Sequence, residues 1–501
     1  MAIRKLFTVA VIVAAVGATI VACGDDSNDT LDVASGTVIK NVSVVNTRDG
    51  SIASQMSVVL NGGKIQTVTA QPVRAGSAVQ VIDATGKYVV PGFLDMHTHS
   101  MVRADSSPTY FPLMIAYGIT GFREMGAFVG QLPTMVVRAR KLNADSAAGL
   151  VDAPEALLVP SDIFVGASTA ASGVQGVAQQ KALGVDFIKI ISANREGMLS
   201  FLSESKRAGL DLAGHLTPAV SAAESSQLGW KTMEHLGGGL GILLDCADDE
   251  TAIRDGAIAA AGTAAPSFPS DLASVRRTIS TYNNAKCVAL AKTFVSNGTW
   301  HVPTLRRVRA IQTSDDPVFL NDPNLVYVDK GRIAQWQATA AAAAARPAAE
   351  RAALAEMYTL QKSVTKLLKQ NGVKMMTGSD AGQASTWVIP GFGLHQDFQE
   401  LGLAGLSPLE ILQMATLNGA EFLHRESSMG TVDAGKNADL VLLDANPIAD
   451  VANLSKISAV FLKGRHFPKN ALDKMKSDTA DAYRLQVLSA SAAFAEPDHG
   501  H

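Results

Sequence analysis

Between residues 36 and 90 apolar residues cluster in runs too short for helices. Thr37-Val38-Ile39, Val42-Ser43-Val44-Val45, Met56-Ser57-Val58-Val59-Leu60 and Lys64-Ile65-Gln66-Thr67-Val68 are divided by the turn signals Arg48-Asp49-Gly50 and Asn61-Gly62-Gly63. Such alternation predicts short strands in a small sheet that packs on itself. A matching β-like piece lies far away, at residues 435–444 and 459–464. The two pieces predict one discontinuous β-sandwich, residues 36–90 and 425–467, clamping whatever lies between.

What lies between alternates apolar strand-like runs with helical stretches, the pattern of parallel βα units. Strand candidates are residues 118–126, 185–191, 211–215, 232–235, 300–305 and 374–380, and each carries a polar or ionisable residue at or near its end. The span 306–371 is alanine-rich with spaced Leu, Met and Val, which predicts inserted helices, as a cover over a pocket or a thicker outer shell.

The 501 residues, 47% hydrophobic, suffice for one large α/β unit plus an accessory domain. A formal net charge of −3 gives no electrostatic case for nucleic acid, which leaves small-molecule chemistry.

The candidate chemistry starts at Val89-Val90-Pro91-Gly92-Phe93-Leu94-Asp95-Met96-His97-Thr98-His99. In a strand, alternate side chains share a face, so His97 and His99 point together and suit one ion. Two histidines in a polar strand-end turn are the plain alternative. Lys189 interrupts the apolar run Phe187-Ile188-Lys189-Ile190, where a lone ammonium loses hydration. A lysine reaching solvent or salt-bridged to an acid is the alternative there. His215 and His235 each end a short run, as scaffold residues or as ligands. Asp380 before Ala381-Gly382 reads as a cap or turn in isolation.

Val-Pro-Gly-Phe-Leu-Asp-Met-His-Thr-His resembles the first-strand signature of the amidohydrolase superfamily, metal-dependent hydrolases on a distorted (β/α)8 TIM barrel. Gly184-Val185-Asp186-Phe187-Ile188-Lys189 resembles its prolidase-like and imidazolonepropionase-like branch. Residues 229–235 look like the sixth-strand signature and Thr377-Gly378-Ser379-Asp380-Ala381-Gly382 like the eighth. The resemblance runs from about residue 36 to about 466. It implies a barrel at residues 91–424 whose strand ends meet at one mouth. It also implies two divalent ions, expected to be zinc, held by His97, His99, a carboxylated Lys189, His215, His235 and Asp380. Water activated between the ions would attack the carbonyl of a small amide, a dipeptide or N-acyl amino acid, with Asp380 as proton shuttle. A cyclic-amide hydrolase using one metal is an alternative within the class. A non-catalytic surface lipoprotein that binds a ligand is the alternative outside it.

Arg123 is a candidate to hold a substrate carboxylate, with a salt bridge in the barrel rim as its alternative. His301 and His395 are candidate substrate contacts, with hydrogen-bonding or packing roles as alternatives. One departure from the branch is the segment Pro160-Ser161-Asp162-Ile163-Phe164-Val165-Gly166-Ala167-Ser168, which has no histidine where Gly-Gly-His is common.

At the amino end, Arg4-Lys5 precedes an uncharged apolar run to Ala22, as in a signal peptide (1–22) or a retained membrane anchor. Ile20-Val21-Ala22-Cys23 resembles a bacterial lipobox, which implies lipidation of Cys23, a tether at 23–35 and an exported, envelope-anchored protein. In that setting Cys246 and Cys287 are either bridged or two buried thiols. The tail 468–501 carries no motif, and the sequence leaves the oligomeric state open.

Overall fold

The computed structural model describes residues 30–102, 106–126, 132–382 and 386–485. The expected signal peptide, Cys23 and the first part of the tether lie outside the described residues. Among the described residues no helix is long and apolar enough to cross a membrane.

The two ends of the chain meet in one sheet. Tyr88–Pro91 pairs in parallel with Gly36–Val45 on one side and antiparallel with Leu440–Leu443 on the other. The order continues through Ile457–Leu462 to Arg465–Pro468 at one edge, and through Ile52–Asn61 to Lys64–Thr69 at the other. Val79–Asp83 adds an eighth strand beside Gly36–Val45. Ile39, Val42, Val58, Leu60, Leu440, Leu442 and Phe461 share one buried cluster, so the alternation visible at both ends serves a common apolar face. The expected sandwich is thus one eight-stranded mixed sheet with a two-stranded ribbon, Leu31–Val33 on Val73–Ala75.

The middle of the chain forms two parallel sheets. One orders Glu155–Leu158, Ile119–Glu124, Phe93–His99 and Ala381–Gly382. The other runs in sequence order through Pro160–Phe164, Phe187–Ile190, Asp211–Gly214, Thr232–Glu234 and Trp300–Val302. They follow one another directly, since only Val159 separates Leu158 from Pro160. The segment 374–382 touches both, because His301 and Lys374 are hydrogen-bonded on one side and Met96 N donates to Thr377 O at 2.9 Å on the other. A single closed ring of strand pairs is not formed among the described residues.

Helices separate the strands. Ala170–Leu183 is capped by the Thr169 side chain and ends at Gly184 in the left-handed region, φ 80°, a conformation glycine adopts without strain. The span 306–371 is helical, from Leu305–Gln312 to Ala348–Gln370. Its aromatic residues Phe319 and Trp336 pack with Trp387, which follows Asp380. The insertion therefore packs against the segment that follows the last strand. Residues 469–484 of the tail form a helix against Tyr110–Ala116.

Cys246 and Cys287 form a disulfide across 41 residues, tying Gly241–Asp245 to Asn284–Asn297.

Candidate metal centre

The strand Phe93–His99 is wholly buried and fixed by its neighbour rather than by solvent. Asp95 accepts hydrogen bonds from Ser379 N at 2.9 Å and Ser379 Oγ at 2.6 Å. Asp380 N in turn donates to His97 O at 2.7 Å. Two sequence-distant strand ends are thereby held in register, which brings the Asp380 carboxylate over the His-x-His pair.

Three imidazoles converge on that carboxylate. His97 Nε2 lies 3.3 Å and His99 Nε2 3.1 Å from Asp380 Oδ1, and His235 Nε2 lies 3.6 Å from Oδ2. Ligand atoms of His97, His235 and Asp380 all fall within 4.8 Å of one another. His215 stands edge-on to His235, ring centres 5.0 Å apart. Lys189 is 1% exposed on a strand whose register sets it beside Ile163 and Ala213. Burial pushes its amine down to about 8, against the opposing pull of Glu234 and Asp380. Burial pushes Asp380 upward, yet His97, Arg307 and His235 hold it well below the usual carboxylate range.

The backbone is strained where it presents these groups. His235, Thr304 and Asp380 have φ of 55°, 44° and 58°, a region that costs non-glycine residues of order 1–3 kcal/mol each. Thr304 Oγ1 meets His235 Nδ1 at 2.5 Å and fixes that ring.

A buried shell of charge surrounds the cluster, and sequence reasoning missed it. Glu234 Oε2 accepts from His97 Nδ1 at 2.7 Å. Glu124 Oε1 stands 4.0 Å from His99 Nδ1. Arg307 Nε lies directly against Asp380 Oδ2. Glu234 had a sequence signal as an acid inside the buried run Thr232–Glu234. Arg307 had a weaker one, a cation just past a strand end.

Three proposed substrate contacts are placed elsewhere. Arg123 is buried inside, where Nε donates to Met96 O at 2.6 Å, Nη1 to Thr232 Oγ1 at 3.1 Å and Nη2 to Glu234 Oε1 at 2.9 Å. All three nitrogens are committed to the scaffold, as in the salt-bridge alternative. His301 faces away from the strand interior. Its neighbours Trp300 and Val302 join Leu94, Met96 and Met376, while the His301 ring packs on Phe294 of the helix Asn284–Asn297, centres 4.6 Å apart. Neither His301 nitrogen has a hydrogen-bond partner. His395 donates from Nε2 to Tyr117 O at 2.7 Å and packs edge-on against Phe93 and Phe398. It is a packing residue of the helix Phe392–Leu403.

The family model of the amidohydrolase family matches residues 88–466. The chain belongs to the amidohydrolase family. N-acetylglucosamine-6-phosphate deacetylase from Lysinibacillus sphaericus is 33% identical over 92 residues, 17% of this chain and 23% of that protein. The chain thus spans less than a quarter of the length of the curated relatives it matches. Among solved structures, bottromycin amidohydrolase superposes with a TM-score of 0.66 at 19% identity, covering 89% of this chain and 90% of that one. A Xaa-Pro dipeptidase with methionine bound in its active site gives 0.58 at 17% identity, covering 86% and 99%. At these identities the likeness shows the fold, a mixed α/β amidohydrolase architecture.

Proposed function

We propose that this amidohydrolase is a metal-dependent hydrolase of a carbon–nitrogen bond in a small amide, a dipeptide or an N-acyl amino acid. The observation that carries the reading is the convergence of His97, His99 and His235 on Asp380 in a buried setting. His97 Nε2 and Asp380 Oδ1 are buried without a hydrogen-bond partner, and such atoms in a dry site call for a ligand. Neutral imidazoles and a carboxylate are the donor set a divalent cation accepts. His97, His99, His215, His235, Asp380 and Lys189 as its carbamate would hold two ions, with zinc as the expected metal. Buried divalent ions supply water activated at neutral pH and a polarised carbonyl.

The chain's own groups do the rest. Asp380 faces all three rings, which supports a role in taking a proton and returning it to the leaving nitrogen. Glu234 orients His97, and Thr304 orients His235. Burial shifts Lys189 toward the neutral amine, the form that adds carbon dioxide, and the bound cations would balance the charge of the carbamate, which supports that reading. The two parallel sheets, linked through Val159 and 374–382, are read as one distorted (β/α)8 barrel over residues 91–424. The flanking segments 36–90 and 425–467 are read as the accessory β domain. A disulfide persists where the compartment is oxidising, and with the lipobox-like Cys23 it supports an exported, lipid-anchored protein.

Two measurements test the reading together. Metal analysis of protein purified without chelator should find close to two ions per chain. A panel of dipeptides and N-acyl amino acids should contain a hydrolysed substrate. Metal-free protein with no turnover after zinc loading overturns it. Lys189→Ala should lose one ion and most activity, and retention of both ions rules out the carbamate.

A further inference from the structure

The helix Leu305–Gln312 carries three arginines with three different fates. Arg309 is clamped between Glu400 at 2.6 Å and Asp316 at 2.7 Å. Arg306 lies over the Phe319 ring at 4.4 Å and donates to Trp387 O at 3.3 Å. Arg307 turns into the centre, 9% exposed, and among the described residues its ion-pair partner is Asp380.

That pairing is at odds with the work assigned to Asp380. A guanidinium against the carboxylate keeps it a weak base, and a carboxylate that binds a cation or carries a proton no longer balances the arginine. A buried guanidinium stays charged and keeps five donors, so it then needs another anion. Arg123 does not compete for that anion, since its nitrogens serve Met96, Thr232 and Glu234.

The place of Arg307 limits where the anion sits on the substrate. Asp380 must reach the leaving nitrogen, and Arg307 touches Asp380, so the anion belongs within a few bonds of that nitrogen. In a leaving amino acid the α-carboxylate is two bonds away, and its planar pair of oxygens fits a guanidinium edge. We propose that Arg307 binds the α-carboxylate of the leaving amino acid, so that the enzyme selects substrates with a free carboxylate beside the scissile bond. Once Asp380 serves the ions, Arg307 is released from this pair and is free to take the substrate carboxylate. The proposal rests on the hydrolase reading above.

Its test pairs each dipeptide and N-acetyl amino acid of a panel with its own C-terminal amide, using metal-loaded wild type, Arg307→Gln and Arg307→Lys. Metal content and melting temperature establish that the variants are folded and loaded. Wild type is expected to favour the acids in kcat/KM by about 100-fold, and Arg307→Gln to collapse that ratio to about fivefold or less, with Arg307→Lys between. A wild-type ratio near one, or equal losses on acid and amide in Arg307→Gln, overturns the proposal. A second arm measures binding of the twenty free amino acids by calorimetry. If no amide is hydrolysed but an amino acid binds about tenfold more weakly to Arg307→Gln, the carboxylate role stands and the hydrolase reading falls. If neither turnover nor binding depends on Arg307, the proposal falls.

Discussion

Glu234 holds His97 from one side and Arg123 from the other, through Oε2 at 2.7 Å and Oε1 at 2.9 Å. A carboxylate acceptor requires the proton on Nδ1, which leaves the Nε2 lone pair free on the Asp380 side. Burial pushes Glu234 up, but Arg123 and the His97 bond bring it down to about 2. It is therefore a fixed anion at neutral pH. Glu234→Gln keeps the shape and removes the charge. It should weaken metal affinity about 10- to 100-fold, read by competition against a chromophoric chelator. Unchanged affinity would show that the ring is oriented by packing alone.

The eighth-strand segment depends on Gly378 for close approach. A Cβ there would lie 2.6 Å from Val302 Cγ1, 2.7 Å from His97 Cβ and 3.0 Å from His97 N. Two of these atoms belong to the His97 residue, so the strain of an added methyl is transmitted to the ligand. Gly378→Ala should cost about 1–3 kcal/mol of stability and displace His97 from Asp380. Urea unfolding of metal-free protein gives the first and metal titration the second. A variant with wild-type values in both would mean that this strand slides freely against its neighbour.

Particular residues explain what was legible from sequence. His97 and His99 were, because a Pro-Gly break, an apolar run and two imidazoles at strand spacing all sit within eleven positions. Asp380 needed a second motif, since alone it reads as a cap. Arg307 left only the weak signal of a cation just past a strand end, because it lies in a helix-rich span and its meaning comes from a side chain more than seventy residues away in sequence. Arg123 was visible as a polar residue at a strand end, yet its direction depends on Glu234, which occupies another strand. The positive φ at His235 and Asp380 leaves no mark in composition. The single eight-stranded sheet was not foreseen because strand pairs, unlike strands, are set by partners far along the chain.

His301 shows the same lesson and makes a pH prediction. Strand alternation puts it against Phe294, 0% exposed, with both ring nitrogens lacking partners. Burial pushes its imidazole down to about 3. Between that value and the ordinary 6.5 the unfolded chain binds a proton that the folded chain refuses, so stability falls as pH drops through 6.5. The loss should be about 2 kcal/mol from pH 7 to pH 5. His301→Leu removes this sensitivity and also the cost of two unsatisfied polar atoms. The measurement is the stability gap between His301→Leu and wild type, by denaturant unfolding at the two pH values. The gap should widen on acidification, and a pH-independent gap would mean that the imidazole gains a partner.

The Cys246–Cys287 bridge closes a 41-residue loop that contains three helices, Glu250–Ala261, Leu272–Ser280 and the start of Asn284–Asn297. None of these carries a proposed ligand, so the bridge bears on stability rather than chemistry. Cross-linking a loop of that length reduces the freedom of the unfolded chain by up to about 4 kcal/mol, and native disulfides commonly contribute about 2–4. Both sulfurs are buried among apolar residues, so small replacements leave cavities rather than exposed polar groups. The double variant Cys246→Ala, Cys287→Ala should unfold at a lower temperature than wild type while retaining its metal. Wild type treated with a reductant strong enough to open the bridge should fall to a similar midpoint. Equal midpoints for oxidised wild type and the double variant would show that helix packing alone holds this loop, and the bridge would then add nothing to stability.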